Sequence, residues 1–592
     1  MIIRTLSRSF NAGTRYSGEA IALKHPHFTR CTSTKTGSAN NTFTERSHNC
    51  GQIEPADIGK HVNLIGWVKY TRFDNKIIAL RDKYGVVQCI VASELWDEKF
   101  RRKRIPNESV VRVSGMVKKR PVHQIPSDKT SSSQVEVLVS QFELVNPARK
   151  DLPILSRDEN NDYTLDNRLR YRYLDLRSED MQEALKLRAK IIQIFRLRLI
   201  DLDFVECETP TLFKRTPGGA NEFIVPTQVK DKFYTLTQSP QQMKQLLMIG
   251  GVDRYFQVCR CYRDESGRSD RQPEFTQLDI ELSFTNQDLV MRLIDDLVYN
   301  LLHCLSNERI IQLDRASIFS SQCSIPKISY AQAMASYGTD KPDTRFEWPI
   351  KEQDDGRLCI ELPYVIDSST LEHILDLIKL ERNIDTSSFT LTSTRIDEGS
   401  TVSISSNSED ARSLMGFVRI YIAKHLHQLG RPVYNRTHAF LWVTHFPLFT
   451  RNNDTGKLES THHPFTSPSP ETIDQIMTHP EEVVGLHYDL VLNGQEIGGG
   501  SIRIHDADLQ ETVLKRIIGI DQGSFDYFIE ALRSGAPPHG GFAFGLDRLI
   551  AILLGRQSIR DVCAFPKTST GRDLMSGSPH EIDISTKRIY HL

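Results

Sequence analysis

The stretch Arg260–Phe284, RCYRDESGRSDRQPEFTQLDIELSF, holds the densest set of side chains able to do chemistry. Arg263, Asp264, Glu265, Arg268, Asp270, Arg271, Gln272 and Glu274 crowd one short loop, and Asp279 and Glu281 follow on an apolar run. A charge run alone reads as a solvated loop. Asp279 and Glu281, however, alternate with Leu278 and Ile280, and carboxylates taken out of water need partners. An arginine, a glutamate and an aromatic ring meeting on one sheet face can hold a phosphate, an adenine edge and an adenine face; Arg263, Glu265 and Phe275 supply them. Asp489 and Glu496 flank Asn493-Gly494, so a hairpin makes them diagonal neighbours on one sheet face. Two carboxylates that close repel unless a cation or a shared proton relieves them; a solvent-facing acidic pair is the bland reading, and a Mg²⁺ ion between them and a nucleotide's phosphates is the functional one. Gln241 and Lys244, three apart, share a helix face. Arg548 lies in the first turn of a helix, where a cation opposes the helix dipole unless an anion is bound there.

These groups need elements to aim them. Two strands, Tyr255–Tyr262 and Phe275–Phe284, bracket the charged loop, and alternation puts Phe275, Gln277, Asp279 and Glu281 on one face. Ser239-Pro240 reads as a helix start, with Ser239 at the N-cap and Pro240 at N1. In the 489–503 hairpin, Val491 faces Glu496 and Asp489 faces Gly498. Strict alternation then turns Arg503 to the other face, and the run Gly498–Gly500 allows a bulge that resets the phase. Gly540–Gly555, GGFAFGLDRLIAILLG, reads as a glycine-rich strand that lets a ligand approach the backbone, followed by a helix opening near Leu546. His462 and His463 are adjacent, so on a strand at most one faces a site.

At 592 residues the chain spans several domains. Its formal net charge of −1 excludes a global basic field, so any nucleic-acid site is a local patch. Ten cysteines lack paired CxxC spacing and fit a reducing compartment. Cys259 and Cys261 share a strand face, which points to packing before zinc. No uninterrupted apolar run is long enough to cross a bilayer.

RDE…DRQPEFTQLD closely resembles motif 2 of class II aminoacyl-tRNA synthetases, and its wording is similar to the aspartyl branch found in bacteria and mitochondria. Glu179–Asp201 with the strand Phe204–Glu208 resembles motif 1, and GGFAFGLDR resembles motif 3. QSPQQMKQ, IPKISYAQAMASYGTDKPDTRF, HHPFT and RDVCAFPK are similar to the same branch. The resemblance implies adenylation of L-aspartate by ATP, then transfer to tRNA-Asp by a homodimer. In that scheme Arg263 holds the α-phosphate and carboxylate, and Arg548 the γ-phosphate. Glu265, Gln272, Phe275, Glu496, Gly545, Leu546, Asp547 and Arg548 contact ATP, and Asp489 with Glu496 organises Mg²⁺. Ser239, Gln241 and Asp279 meet the substrate ammonium. Lys244 and Arg503 meet its side-chain carboxylate, and His462 and His463 border the pocket. Bacterial relatives carry Glu after the TP of the loop at Thr216–Val225, where this chain has Gly218. Mitochondrial-type relatives look the same, so that loop lacks a carboxylate for the ammonium. Asparaginyl and lysyl relatives share the barrel and motifs; Lys244, Arg503 and the apparent insertion argue for aspartate. A non-catalytic RNA-binding protein would lack Arg263, Glu496 or Arg548, and a tRNA-independent amide-forming ligase would lack the barrel.

The expected fold is α+β: an OB-fold barrel, a catalytic domain of antiparallel sheet with flanking helices, and an inserted α/β domain. Residues 1–44, basic, Ser-rich and nearly free of acids, read as a mitochondrial transit peptide, so the matrix is the expected location. Residues 48–147 hold five short strands, the pattern of a small closed barrel. The resemblance makes this the anticodon-binding domain, with Gln88, Arg120 and Glu136 near the bases. Relatives usually place a base-stacking Phe where this chain has Ile77, so either Phe73 or Tyr70 replaces it or the anticodon is held more weakly. Lys118–Arg120 and Arg101–Arg104 are candidate phosphate contacts, the latter equally a solvated surface. Residues 148–178 read as a hinge, 179–347 and 436–592 as the two halves of the catalytic domain, and 348–435 as the insertion.

Overall fold

The computed structural model describes residues 43–592 apart from 122–130, 156–162, 217–218, 266, 309–323, 383, 385–388, 397–398, 406–409, 453–454 and 521–522. The transit-peptide reading, Gly218 and part of the segment read as a hinge therefore lie outside the described residues.

Five strands, β1 (His61–Arg72), β2 (Ile77–Asp82), β3 (Gly85–Val91), β4 (Val110–Lys119) and β5 (Val135–Asn146), close into a barrel in the order β1-β2-β3-β5-β4. Alternation fills it: Val62, Leu64, Ile78, Leu80, Val87, Cys89, Val113 and Val137 point inward and are buried. A bulge between Val68 and Tyr70 lets β1 bend round to pair with both β2 and β4.

The larger sheet runs in the order β9-β10-β11-β12-β13-β8-β7-β6. These strands are β6 (Val205–Glu206), β7 (Arg254–Tyr262), β8 (Glu274–Ser283), β9 (Lys327–Ser329), β10 (Phe440–Thr444), β11 (His487–Leu492), β12 (Gln495–Ile502) and β13 (His539–Gly545). The six central strands are antiparallel, and the short edge strands β6 and β9 pair parallel. One face carries Phe256, Leu278, Ile280, Phe542, Phe544 and Leu490 onto helices α1 (Glu179–Asp201), α3 (Gln287–Asn307) and α4 (Leu546–Leu553), which forms the main core. Helix α2 (Gln241–Ile249) packs on the opposite face, against β7 and β8. Helix α1 begins where the Ser178 side chain accepts from Met181 N–H, a capping bond that satisfies one free helix donor.

Between β9 and β10 stands a four-stranded sheet, ordered Lys351–Glu352, Leu358–Leu362, Gly399–Ser405, Thr390–Ile396. With helices Ser368–Arg382 and Ala411–Gln428 it builds a separate core that includes Trp348, Ile360, Val402 and Met415.

Past residue 162 the segment read as a hinge is helical and tied down. It holds short helices Leu165–Arg170 and Arg172–Asp175. Arg172, 2% exposed, donates to the carbonyls of Arg560 (2.8 Å), Cys563 (2.7 Å) and Ala564 (3.0 Å). Among the described residues no helix is long and apolar enough to cross a membrane.

Candidate active site

The face of the sheet opposite the main core gathers polar groups from five strands. Alternation along β7 sends Tyr255, Gln257, Cys259 and Cys261 to it, with Arg263 just past the strand end. On β8, Phe275, Gln277, Asp279 and Glu281 stand on the same face, and Asp279 and Glu281 pair with Ala543 and Gly541 of β13. Gly499 and Ser501 of β12 pair with those same residues, Ala543 and Gly541, and Asp489 of β11 pairs with Gly499. Small residues here are a steric requirement. A Cβ at Gly541 would sit 2.1 Å from Glu281 Oε2, and one at Gly499 would sit 2.6 Å from Asp489 Oδ1.

The 489–503 hairpin turns as its sequence predicts. Asn493 and Gly494 both have positive φ, 53° and 78°, as a tight two-residue turn with the strand twist requires. Val491 pairs with Glu496 as expected, but Asp489 pairs with Gly499 and not Gly498. The bulge sits beside the turn, where Ile497 is the extra residue, and not inside the glycine run. From there on Gly499, Ser501 and Arg503 fall on the same face as Asp489. Arg503 thereby meets the polar cluster.

At the centre of that cluster four charges interlock. Lys244 Nζ donates to Asp279 Oδ1 at 2.9 Å and lies 3.4 Å from Glu281 Oε2. Arg503 grips Glu281 with two parallel bonds, Nε to Oε1 at 2.8 Å and Nη2 to Oε2 at 2.9 Å. All four are nearly inaccessible. Burial works to raise the Glu281 carboxyl, but Arg503 and Lys244 together outweigh it and hold it below the usual carboxylate range. Burial likewise opposes the Arg503 charge, and Glu281 more than offsets it. The quartet is neutral overall. Each cation already has a carboxylate, Lys244 on Asp279 and Arg503 on Glu281. Glu281 has no assigned role in the sequence reading, although its alternation with Asp279 was the signal.

Helix α2 starts at Gln241, one residue later than expected, and Ser239 makes no capping bond; Pro240 stands at the N-cap. Gln241 donates to Gln245 (3.0 Å), and Lys244 turns inward instead of sharing a solvated face. His462 and His463 lie in a loop rather than a strand, so both rings join one group, 4.5 Å apart. His462 stacks on His487 (5.3 Å), and His463 Nε2 lies 2.6 Å from Arg503 Nη1. Burial, then His462 and Arg503, push the His463 pKa well below its ordinary value. Buried His487 is lowered to about 3 by desolvation.

The adjoining part of the face is looser. Arg263 lies over the Phe275 ring, 5.0 Å from its centroid, and its Nε has no hydrogen-bond partner. Glu265 pairs with Arg271 at 2.9 Å. Arg548 reaches the Glu496 carbonyl and Asp270 Oδ2 (3.2 Å), and its Nε is unpartnered. Gln272 is tied elsewhere: its amide donates to the Lys567 carbonyl (3.2 Å) and accepts from Lys567 N–H (2.6 Å). Asp547 points away from the open face, bonding Arg188 and the Thr276 N–H (3.0 Å), and the Leu546 side chain is in the main core. Only the backbone of Leu546, beside Gly545 at the end of β13, is near the open face. Sequence reasoning assigned Asp547 and Leu546 by position in a motif, which does not tell inward from outward side chains.

Asp489 is 8% exposed and its Oδ1 has no hydrogen-bond partner. Desolvation, then Glu496, raise its carboxyl well above the usual range. A buried carboxylate oxygen without a donor, beside a second carboxylate, suits a hard cation such as Mg²⁺. Lys341, unremarked in the sequence, lies 3.6 Å from Glu496 Oε2 and pairs with Asp340 at 2.5 Å.

On the barrel, registers align Tyr70, Ala79, Gln88, Glu136 and Lys118 in one row across β1, β2, β3, β5 and β4. Gln88 donates to Glu136 (3.1 Å). Ile77 lies in the next row, opposite Arg72 and Ile90, while Phe73 is in the turn beyond with φ of 50°. Arg120 continues past β4, its N–H bonding the Gln134 carbonyl at 3.0 Å.

The family model described as tRNA synthetases class II (D, K and N) matches residues 164–569. The mitochondrial aspartate–tRNA ligase of Homo sapiens is 40% identical over 604 residues, covering 93% of this chain and 91% of that protein. The aspartate–tRNA(Asp/Asn) ligase of Hydrogenobaculum sp. is 37% identical over 605 residues, covering 92% and 98%. In fold, the chain is similar to the asparaginyl-tRNA synthetase of Pyrococcus horikoshii complexed with asparaginyl-adenylate. That match has a TM-score of 0.59 at 21% identity, covering 88% of this chain and 98% of the other. The aspartyl tRNA synthetase of Entamoeba histolytica aligns with a TM-score of 0.57 at 19% identity, covering 94% and 98%.

Proposed function

Because the chain belongs to the class II tRNA synthetases of the D, K and N type, we propose that it is an aspartate–tRNA ligase, working as a homodimer in the mitochondrial matrix. The observation that carries the amino-acid choice is the buried quartet Lys244, Arg503, Asp279 and Glu281. Arg503 spends one side of its guanidinium on Glu281, and its Nη1 rests on the neutral His463 Nε2 and Ser501 Oγ, partners that a ligand carboxylate exchanges for itself while the third Lys244 proton joins it. Both groups are donors only. A side-chain carboxylate accepts from both, whereas the NH₂ of an amide meets donors and leaves a buried group unpaired. Asp279, with Ser239 and Gln241, takes the substrate ammonium.

The aspartate α-carboxylate attacks the ATP α-phosphate in line, giving aspartyl-adenylate and pyrophosphate; the terminal ribose hydroxyl of tRNA-Asp then attacks the acyl carbon. No protein nucleophile is needed, and the chain contributes positioning and charge. Arg263 holds the α-phosphate beside the attacking carboxylate, Phe275 stacks on adenine, and Glu265 reads its edge. Arg548 leaves Asp270 for the γ-phosphate. Asp489 and Glu496 would hold Mg²⁺, which when bound neutralises phosphate charge. Gln272 acts through Lys567, fixing the end of the ATP loop. Gln88, Glu136 and Arg120 meet the anticodon, and Tyr70, in the row of Gln88 and Glu136, replaces the missing stacking ring. Leu197, Ile200, Val205, Leu212, Phe233 and Tyr234 are exposed near the sheet edge at β6 and suit the dimer interface.

The test is ATP–pyrophosphate exchange with aspartate, asparagine and lysine side by side. Exchange with aspartate alone is expected. Equal exchange with asparagine overturns the donor-only argument.

A further inference from the structure

Cys259 and Cys261 take no part in the reaction above, yet they stand on its face of the sheet. They are two residues apart on β7, so both thiols point to the ligand side. Their sulfurs are 3.7 Å apart, and Cys259 Sγ is 3.2 Å from Asp279 Oδ2. The three ligand atoms lie within 4.8 Å of one another, and all three residues are buried. A tetrahedral ion with metal–sulfur bonds of about 2.3 Å holds two sulfurs roughly 3.8 Å apart. The thiols therefore need almost no movement to share one ion. Cys261 Sγ also lies 3.1 Å from Gln277 Oε1, a neutral oxygen at hand for a fourth position.

Hydrogen bonding alone explains each contact singly: Cys259 donates to Asp279 and Cys261 to Gln277. It does not require two thiols to stand at tetrahedral separation with a carboxylate beside them, all three ligand atoms within 4.8 Å of one another. Charge balance also favours an ion. The resting site holds Asp279 and Lys244, which cancel, and two neutral thiols. A divalent cation that displaces two thiol protons leaves the total unchanged, so the buried site gains no net charge.

We propose that Cys259, Cys261 and Asp279 bind a thiophilic divalent cation, of the class of Zn²⁺ and Cd²⁺, and that its occupation draws on the Asp279 charge needed by the substrate ammonium. Two S–H bonds break and two metal–sulfur bonds form. Both protons leave to solvent, Asp279 Oδ2 donates a third pair, and nothing is oxidised or reduced. The inhibitory half rests on the assignment of Asp279 to the substrate under the proposed function; the binding half does not.

The probe is Cd²⁺ alone, added to the whole chain without ATP or Mg²⁺. Equilibrium dialysis and the ultraviolet thiolate-to-metal absorption are compared for the wild type, Cys259→Ser and Cys261→Ser. Each variant is expected to lose one bound Cd²⁺ and its absorption. Equal binding and absorption in all three overturns the site. On the wild type alone, bound Cd²⁺ with the thiolate-to-metal absorption is expected, so the test survives a variant that folds poorly; a wild type that binds no Cd²⁺ with that absorption also overturns the site. In pyrophosphate exchange, Cd²⁺ is expected to raise the aspartate KM about 5- to 150-fold in the wild type and to leave both variants unmoved. Binding that the variants abolish, with an unmoved KM, overturns the inhibitory half. A wild type without exchange in any condition overturns the proposed function, and the dialysis still decides the site.

Discussion

The two parts of the ligand face are built differently. The part around Lys244 and Arg503 is buried, and its cations and carboxylates are locked together before any ligand arrives. The part around Arg263 and Arg548 is half-exposed, its arginines resting on a ring and on the exposed Asp270 loop. The first is stiff and costly to alter, which suits discrimination between an acid and its amide. The second is held by contacts worth little, which suits cations that must move onto phosphates.

The largest effect is expected from Arg503→Ala. It leaves Glu281 buried with only Lys244, so stability should fall by about 3–5 kcal/mol, read by denaturant unfolding, and aspartate activation should be lost. A well-folded, active variant would break the distinction. Lys244→Ala leaves Asp279 without its cation and should abolish aspartate-dependent exchange with a smaller loss of stability. Arg548→Ala should show the opposite signature: unfolding within about 0.5 kcal/mol of wild type, with exchange lowered by about 10²–10³-fold if it stabilises phosphate charge. On the barrel, Tyr70→Ala should weaken tRNA by about 1–3 kcal/mol, read as KM for tRNA, with exchange untouched; Phe73→Ala should do less.

The smallest expected effect is on pH dependence. The folded state holds His487 at about 3, below its unfolded value, so it binds fewer protons there. Its share of stability is complete above the ordinary histidine range, near pH 6.5, and drains as pH falls toward about 3. His487→Phe should flatten the acid side of the stability curve across that window; an unchanged acid limb would show that His487 is not what makes the stiff part acid-sensitive.

Much of this was legible before any coordinates. The five barrel strands follow from alternation and turns, and the Asn493-Gly494 hairpin from two residues that tolerate positive φ. The strands bracketing the charged loop carry their polar residues at period two, which is why Asp279 and Glu281 needed partners. What the sequence left open depends on long-range approach. A bulge of one residue at Ile497 decides the face of Arg503, and no local pattern places that bulge. The inward turn of Lys244 depends on β8 lying beneath α2. Lys341 and Arg172 meet partners more than a hundred residues away, which periodicity does not report.

Arg172 has a practical consequence. Its guanidinium binds the carbonyls of Arg560, Cys563 and Ala564; Arg560 in turn donates to the Arg268 carbonyl at 3.0 Å, and Lys567 holds Gln272. The connector after the barrel is thus stitched through the C-terminal segment to the charged loop between β7 and β8. Anyone dissecting the chain should cut upstream of residue 164 and no earlier than residue 570 from the other end. A fragment begun at helix α1 would keep the buried quartet and still lose the anchor of the charged loop.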